Sequence, residues 1–263
     1  QRNRMEQPQY IVDAFTDAIF SGNPAAVCPL DDWLPDAMMA AIARENNLSE
    51  TAFIVGARGA YAIRWFTPSM EVDLCGHATL ASAFVVFNYL EPNRTAVSFQ
   101  SPSGPLHVER RGDRLVLDFP ARPGDAVECP PALVEGLGVS PLATFLARDY
   151  LVIVDSHEQV AQCQPVWPLL QDLPSLGIII SAPGTDCDFV SRVFFPTDTI
   201  LEDPVTGSAH CTLIPYWAAR LGKRQLHARQ ISARGGELFC EMAGERVYIG
   251  GRAVLFSKAR IFV

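Results

Sequence analysis

Residues 63–78, IRWFTPSMEVDLCGHA, are matched later in the same chain by residues 191–209, SRVFFPTDTILEDPVTGSA. The shared residues keep their order, at an offset of 128 residues before a three-residue insertion and of 131 residues after it. The matched pairs are Arg64 with Arg192, Phe66 with Phe194, Pro68 with Pro196, Glu71 with Glu202, Gly76 with Gly207 and Ala78 with Ala209. Solenoid repeats are roughly 20 to 50 residues long, so this much longer repeat predicts one structural unit present twice.

A second pair of segments extends the duplication towards the end of each half. Residues 103–117, SGPLHVERRGDRLVL, match residues 235–249, GGELFCEMAGERVYI, at an offset of 132 residues. Each half also predicts a helix that begins at its matched glycine, and the first of these is apolar on every side, as is typical of an enclosed helix. We therefore predict an α+β fold of two duplicated domains, each a bent, mostly antiparallel, barrel-like sheet around a central apolar helix.

The boundary between the two domains is predicted in a proline-rich connection at residues 120–131. We expect an N-terminal repeat domain over residues 1–122 and a C-terminal repeat domain over residues 123–263. Residues 253–263 extend beyond the last matched strand, where the first copy has only the connection, so this segment can return to pack on the first domain.

The composition excludes several classes of partner. The chain has 21 Lys and Arg against 29 Asp and Glu, a net charge of −8, and offers no basic stripe for the phosphates of a nucleic acid. No apolar run approaches the roughly 20 residues that span a bilayer, so we expect a cytoplasmic protein without a membrane partner. The seven cysteines are odd in number and show no C-x-x-C spacing, which favours reduced thiols and predicts no metal site.

Each copy places a short glycine-containing loop immediately before its apolar helix. The amino end of a helix carries unpaired N–H groups and a partial positive charge. Two such loops facing each other predict a site between the copies that binds a small carboxylic acid without any Arg or Lys. The predicted substrate-binding residues of the two loops are Cys75, Gly76, Thr206 and Gly207.

The polar residues around these loops break the duplication. His77 is matched by Ser208, Asp203 lies in the inserted stretch four residues before Gly207, and Glu50 has no acidic counterpart in the second half. Proton transfer requires such asymmetry, because one group takes a proton where another returns it. Alternatively, Glu50 is a surface carboxylate that caps or pairs, although the apolar residues that follow it favour a partly buried position.

Three segments, NLSETAF at residues 47–53, CGHATLA at residues 75–81 and EDPVTGSAH at residues 202–210, resemble the PhzF (phenazine-biosynthesis-like) family of the diaminopimelate-epimerase-like superfamily. The resemblance covers essentially the whole chain. It implies duplicated helix-in-barrel domains with a cleft between them, a homodimer, and isomerisation of a small carboxylic acid without a cofactor. By the family motif, Glu50 is the catalytic acid/base, and its partners around the substrate are His77, Asp203 and Ser208.

Related epimerases and racemases use two cysteines, one on each loop, on opposite faces of the substrate carbon. Here the first position is Cys75 but the second is Thr206. A threonine hydroxyl is too weak an acid to exchange that proton unaided, so the sequence excludes a mechanism with two thiols. A helix N-terminus would lower the pKa of Cys75 and give it a part in catalysis; the alternative is a small buried packing residue.

The sequence therefore predicts a cofactor-independent isomerase of a small unsaturated or amino carboxylate, with Glu50 moving the proton. One rival is an epimerase or racemase that uses Cys75 with another acid. A second rival is a catalytically idle scaffold that binds a protein partner. The intact set of Glu50, His77, Asp203 and Ser208 argues against the scaffold, because a scaffold has no need of it.

Overall fold

The computed structural model describes residues 5–263, so residues 1–4 of the predicted first domain lie outside the described residues. The chain divides into two compact units. One unit runs to Asp118 and also includes Gly250–Val263, and the other is Phe119–Ile249. None of the helices within residues 5–263 has both the length and the apolar character needed to cross a bilayer.

The elements of the two units follow a similar order, although the second unit contains additional helices. Up to Pro120 they are β1 (Glu6–Ala14), β2 (Asn23–Leu30), α1 (Asp36–Asn46), β3 (Glu50–Ala57), β4 (Ala60–Phe66), β5 (Glu71–Val72), α2 (Gly76–Val85) with a π-helical turn (Val86–Leu90), β6 (Ala96–Ser101), β7 (Gly104–Arg111) and β8 (Arg114–Pro120). The second unit continues with β9 (Asp125–Ala126), α3 (Pro131–Leu137), β10 (Ala143–Leu146), β11 (Tyr150–Ile153), α4 (His157–Gln162), α5 (Trp167–Leu170), β12 (Ile178–Pro183), β13 (Phe189–Phe194), β14 (Glu202–Asp203), α6 (Gly207–Leu221), β15 (Gln225–Gln230), β16 (Gly236–Ala243) and β17 (Arg246–Gly251). The strand that follows, β18 (Ala253–Phe262), belongs to the first unit.

Strand pairing repeats between the units. In the first unit β2 and β3 are parallel, β4 is antiparallel to β3 and β5 and parallel to β6, and β6 is antiparallel to β7. In the second unit the same relations join β11 to β12, β13 to β12, β14 and β15, and β15 to β16. These pairings confirm the α+β fold of duplicated, mostly antiparallel sheets.

One ion pair is repeated as well. Arg64 on β4 binds Glu71 on β5 through Nε and Nη2, with both contacts at 2.6 Å. Arg192 on β13 binds Glu202 on β14 in the same two-pronged way, at 2.8 and 2.9 Å. The sequence alignment of the two copies, including its three-residue insertion, therefore matches the three-dimensional equivalence of the strands.

The central helix of the first unit, α2, explains why its sequence is apolar on all sides. Nine of its ten residues are buried, and it packs against β1, β2 and β3. Its two buried hydroxyl groups do not remain unpaired, because Thr79 donates to the carbonyl of Cys75 and Ser82 to that of Ala78. In the second unit α6 begins at the matched Gly207 and packs against β15 and β16.

Strand β18 completes the first unit. It pairs with β1 in antiparallel register from Glu6 opposite Phe262 to Ala14 opposite Ala253, with one irregularity between Ile11 and Val12. The other edge of β1 pairs with β2, also antiparallel. Because β18 occupies one edge of β1, residues from both ends of the described chain form one sheet.

Candidate active site

Glu50 is the first residue of β3 and follows α1 after a short connection. The helix ends at Asn46, and Asn47 then adopts a left-handed conformation with φ of 51°. The side-chain amide of Asn46 donates to Gln9 Oε1 at 2.9 Å and to Thr51 Oγ1 at 3.0 Å. These bonds tie the connection to β1 on one side and to β3 on the other, so the backbone at Glu50 is held in place.

The carboxylate of Glu50 faces the imidazole of His77, in the first turn of α2. Glu50 Oε2 lies 3.1 Å from His77 Nε2, and the two side chains are 18% and 4% exposed. These two buried atoms form an ion pair when the imidazole is protonated, although their alignment falls short of a regular hydrogen bond. The carboxylate still has lone pairs to offer, so a bound group could complete its hydrogen bonds.

Cys75 contacts the other nitrogen of the same ring. It is the N-cap residue of α2, has an extended backbone, and places Sγ 3.5 Å from His77 Nδ1. The thiol, the imidazole and the carboxylate of Glu50 therefore form a compact cluster. Within it the imidazole can exchange a proton with the thiol at Nδ1 and with the carboxylate at Nε2.

These three residues are also potential metal ligands. One ligand atom from each of Glu50, Cys75 and His77 lies within 4.8 Å of the other two. A histidine binds a given metal ion through one ring nitrogen, whereas here the thiol approaches Nδ1 and the carboxylate approaches Nε2. The cluster is compact enough to hold a metal ion, so the prediction of no metal site stays a prediction.

Burial controls the acidity of the cluster. Burial raises the pKa of the Cys75 thiol to about 11, and the Glu50 carboxylate adds to the shift although His77 opposes it. Burial alone would lower the pKa of His77, but Cys75 and the carboxylate of Glu50 together hold it well above the ordinary value. The expectation that a helix N-terminus lowers the pKa of Cys75 is thus wrong, because desolvation outweighs the helix end.

The corresponding loop of the second unit is built from different groups. Thr206 is the N-cap residue of α6, and its hydroxyl donates to Asp203 Oδ2 at 2.6 Å. The buried amide of Gln230 on β15 accepts from Thr206 N at 2.8 Å and donates to the carbonyl of Asp203 at 2.9 Å. Sequence reasoning missed Gln230, which carries no motif signal of its own.

Ser208 contacts a cation that the sequence argument did not expect. Arg148 Nη2 donates to Ser208 Oγ at 3.0 Å, and the same guanidinium binds the neighbouring Asp149. The prediction that the two loops bind a carboxylate without any Arg or Lys stays a prediction, although the structure places Arg148 beside Ser208. The signal available in the sequence was the pair Arg148 and Asp149 directly before a buried apolar strand, but this pair has no match in the other copy of the repeat.

The structure brings the predicted residues together in two groups. In the first unit Glu50, Cys75 and His77 are in contact, and in the second unit Asp203 and Thr206 are in contact. Gly76 and Gly207 are the first residues of their helices and are buried. Within residues 5–263 the glycines with positive φ do not include these two, so neither is required for a left-handed backbone.

The duplicated α+β fold is shared with solved structures of PhzF-family proteins and, as a fold alone, with a hydroxyproline epimerase from Agrobacterium vitis at 12% identity and a TM-score of 0.62, over 100% of this chain and 94% of that one. Residues 12–259 match the family model described as phenazine biosynthesis-like protein, and the chain belongs to this PhzC/PhzF family. The resemblance drawn from the three sequence segments is therefore confirmed.

Relatives of high similarity carry the name of isomerases. A protein from Pseudomonas aeruginosa named as an uncharacterized isomerase is 51% identical over 252 residues, which cover 96% of this chain and 97% of that protein. A second protein of that organism, named in the same way, is 53% identical over 251 residues and covers 95% and 96%. The crystal structure of a PhzF family phenazine biosynthesis protein from Enterococcus faecalis has 48% identity and a TM-score of 0.96, over 98% of this chain and 100% of that one. These names support an isomerase family and specify no substrate.

Proposed function

We propose that this protein is a cofactor-independent isomerase of a small unsaturated or amino carboxylic acid, in which Glu50 transfers the proton. The observation that carries the proposal is the contact of Glu50 Oε2 with His77 Nε2 at 3.1 Å, at the buried start of α2 and beside Cys75. A titratable cluster of this kind is a candidate for proton transfer.

In the proposed reaction, Glu50 removes a proton from a carbon next to a conjugated system and returns it to another carbon. The C–H electron pair moves into the conjugated system, and the double bond shifts as the second C–H bond forms. The pKa of His77 lies well above the ordinary value, so His77 carries a positive charge next to the Glu50 carboxylate. This charge stabilises the negative charge that develops on the substrate.

In the same proposal, polar groups of the second unit bind the substrate. Asp203, Thr206 and Ser208 would hold the polar groups of the substrate, with the backbone N–H groups at Gly76 and Gly207 binding its carboxylate. A homodimer, which the family resemblance implies, and a cytoplasmic location, which rests on the hydropathy of the sequence, are also part of the proposal. Light scattering and cell fractionation test these two points.

A second candidate, an epimerase or racemase that uses Cys75, is favoured by the contact of Cys75 Sγ with His77 Nδ1 at 3.5 Å. It predicts that solvent deuterium enters a stereocentre with inversion and that Cys75→Ser abolishes this exchange. In the Glu50 mechanism deuterium instead accompanies a shift of a double bond, and Cys75→Ser retains most of the turnover.

The deciding experiment begins with the small acids that co-purify with the protein, released by denaturation and identified by mass spectrometry. Each acid is then incubated with the protein in D₂O and followed by NMR. We expect wild type and the control Glu109→Gln, an exposed carboxylate of the first unit, to exchange deuterium into one of these acids. Glu50→Gln should bind the same acid without exchange, and dialysis against a chelator should leave the wild-type rate unchanged. Exchange by Glu50→Gln at the wild-type rate would refute the proposed mechanism.

A further inference from the structure

The strand registers identify the residue of the second unit that corresponds to Glu50. In β3, the residue after Glu50 lies opposite Phe66, and in β12, the residue after Gly177 lies opposite Phe194. Because Phe66 and Phe194 are matched in the repeat, Gly177 is the counterpart of Glu50. The second unit therefore has no side chain at the position of the proposed catalytic carboxylate.

The ring of Phe195 and the carboxylate of Asp149 border that space. A Cβ added at Gly177 would lie 2.7 Å from Phe195 Cε1 and 3.1 Å from Asp149 Oδ1. Asp149 immediately precedes β11, the parallel neighbour of β12, and its side chain is only 2% exposed. Each unit thus has a carboxylate at the same corner of its sheet, but the second unit supplies it from the adjacent strand.

Arg148 connects this carboxylate to Ser208. Its guanidinium binds Asp149 through Nε at 3.1 Å and through Nη2 at 2.5 Å, and Nη2 also donates to Ser208 Oγ at 3.0 Å. The Arg148 side chain is 29% exposed, whereas the Asp149 carboxylate that binds it is buried. The guanidinium is therefore held by a group in the interior of the second unit. A planar guanidinium fixed at two points has little freedom to rotate.

The bond from Arg148 determines what the Ser208 hydroxyl can do. A hydroxyl has one proton to donate and two lone pairs to accept with, and the guanidinium occupies one lone pair. Among the described residues, this is the hydrogen bond that Ser208 Oγ makes, so its own proton remains available to an acceptor outside the protein. Since Arg148 cannot accept a proton, the hydroxyl must donate away from it.

We infer that Arg148, anchored by Asp149, is a positioning residue that orients the Ser208 hydroxyl as a hydrogen-bond donor to an anionic oxygen of the substrate. The inference rests on the proposed function, because it takes Ser208 to be a substrate-binding residue. It adds that the group facing Ser208 is an acceptor, such as a carboxylate oxygen, and that Arg148 acts through Ser208.

The test measures binding of sorbate, a conjugated monocarboxylate, by titration calorimetry with the intact protein. We expect Ser208→Ala and Arg148→Met each to weaken binding about tenfold, and the combined variant to be no weaker than either one. Arg148→Lys should fail to restore binding, because an ammonium cannot chelate Asp149 and reach Ser208 in the same geometry. The control is Arg229→Met, which removes an arginine from an exposed Arg-Asp pair of the same unit.

A variant that removes the whole ion pair covers the case in which Arg148→Met does not fold. Arg148→Met combined with Asp149→Leu leaves no unpaired buried charge and should fold, yet bind sorbate as weakly as Ser208→Ala. Binding within twofold of wild type, or a further loss when Ser208→Ala is added, overturns the inference. Absence of sorbate binding by wild type would overturn both the inference and the assignment of Ser208 as a substrate-binding residue. Deuterium exchange that survives in Glu50→Gln would refute the proposed function but not the inference.

Discussion

Glu50 and His77 form a largely buried contact, with Oε2 and Nε2 3.1 Å apart. A purely structural site could use well-packed apolar side chains instead of such a pair, so the pair favours a chemical role. Asn46 binds both Gln9 and Thr51 beside Glu50. The surrounding backbone therefore fixes the position of the carboxylate.

Shortening the carboxylate side chain by one methylene tests how much its position matters. Glu50→Asp keeps the charge but withdraws the carboxylate from His77, and a displacement of about 1 Å can lower a rate about 100-fold. We expect a loss of that order in the rate of deuterium exchange, measured by NMR. Glu109→Asp, an exposed change of the same chemistry, should have no effect. A rate within threefold of wild type for Glu50→Asp would show that the Glu50–His77 geometry is irrelevant to turnover.

The acidity of Cys75 can be tested by alkylation. Its pKa is raised to about 11 by burial, so the thiolate fraction is small at neutral pH and grows as the pH rises. We expect the alkylation rate of the peptide containing Cys75, followed by mass spectrometry, to increase continuously from pH 7 to pH 10. In His77→Gln the rate at each pH should be lower, because His77 opposes the rise in the pKa. A rate that levels off below pH 8 would contradict the structure.

At the scale of the elements, α2 and α6 begin at matched positions but are stabilised differently. In α6, His210 lies one turn after the N-cap residue, and its Nδ1 is 2.8 Å from the carbonyl of Thr206. Burial lowers the pKa of His210 to about 4, partly offset by this backbone contact. The imidazole is therefore neutral at pH 7 and donates its Nδ1 proton to the carbonyl at the start of the helix.

The neutral state of His210 predicts a dependence of stability on pH. The unfolded chain binds a proton at His210 near pH 6.5, whereas the folded chain does so only near pH 4. The contribution of His210 to the free energy of unfolding should therefore fall as the pH is lowered from about 6.5 to about 4, by up to about 3 kcal/mol. Urea unfolding at pH 7 and pH 5 measures this change. It should be smaller in His210→Gln and unaltered in His107→Gln, an exposed histidine; an equal pH dependence in all three proteins would be evidence against it.

The sequence could predict the features that depend on residues matched between the two copies. The ion pairs of Arg64 and Arg192 and the first residues of α2 and α6 were predictable, because matched residues occupy matched positions. The position of the Asp149 carboxylate near Gly177 was not predictable. Asp149 precedes β11, whereas Gly177 precedes the neighbouring strand β12, and an alignment compares residues of matched strands only. The acidity of Cys75 also escaped prediction, because the sequence shows the helix end but not the depth of burial.

At the scale of the whole molecule, the pairing of β1 with β18 makes the first unit depend on residues 253–262. A chain that ends at Gly251 would leave one edge of β1 without its partner over its full length. We expect hydrogen exchange to show loss of protection in β1 and β2, and unchanged protection in the strands of Phe119–Ile249. A synthetic peptide of residues 252–263 should restore protection, and a peptide with the same composition in scrambled order should not. Full protection of β1 in the shortened chain would contradict this role of β18.

The same pairing sets an order of events on the ribosome. Domains usually fold as they emerge, the N-terminal one first, at roughly 5–20 residues per second of synthesis. Here β1 is translated early, but its partner β18 is available only after residues 15–252 have been synthesised. The second unit, Phe119–Ile249, is continuous in sequence and has all its strands before β18 is made. In the interval one edge of β1 is open to pairing with other chains, as unpaired edge strands generally are. The half of the protein that carries Glu50 is therefore translated first but completed last.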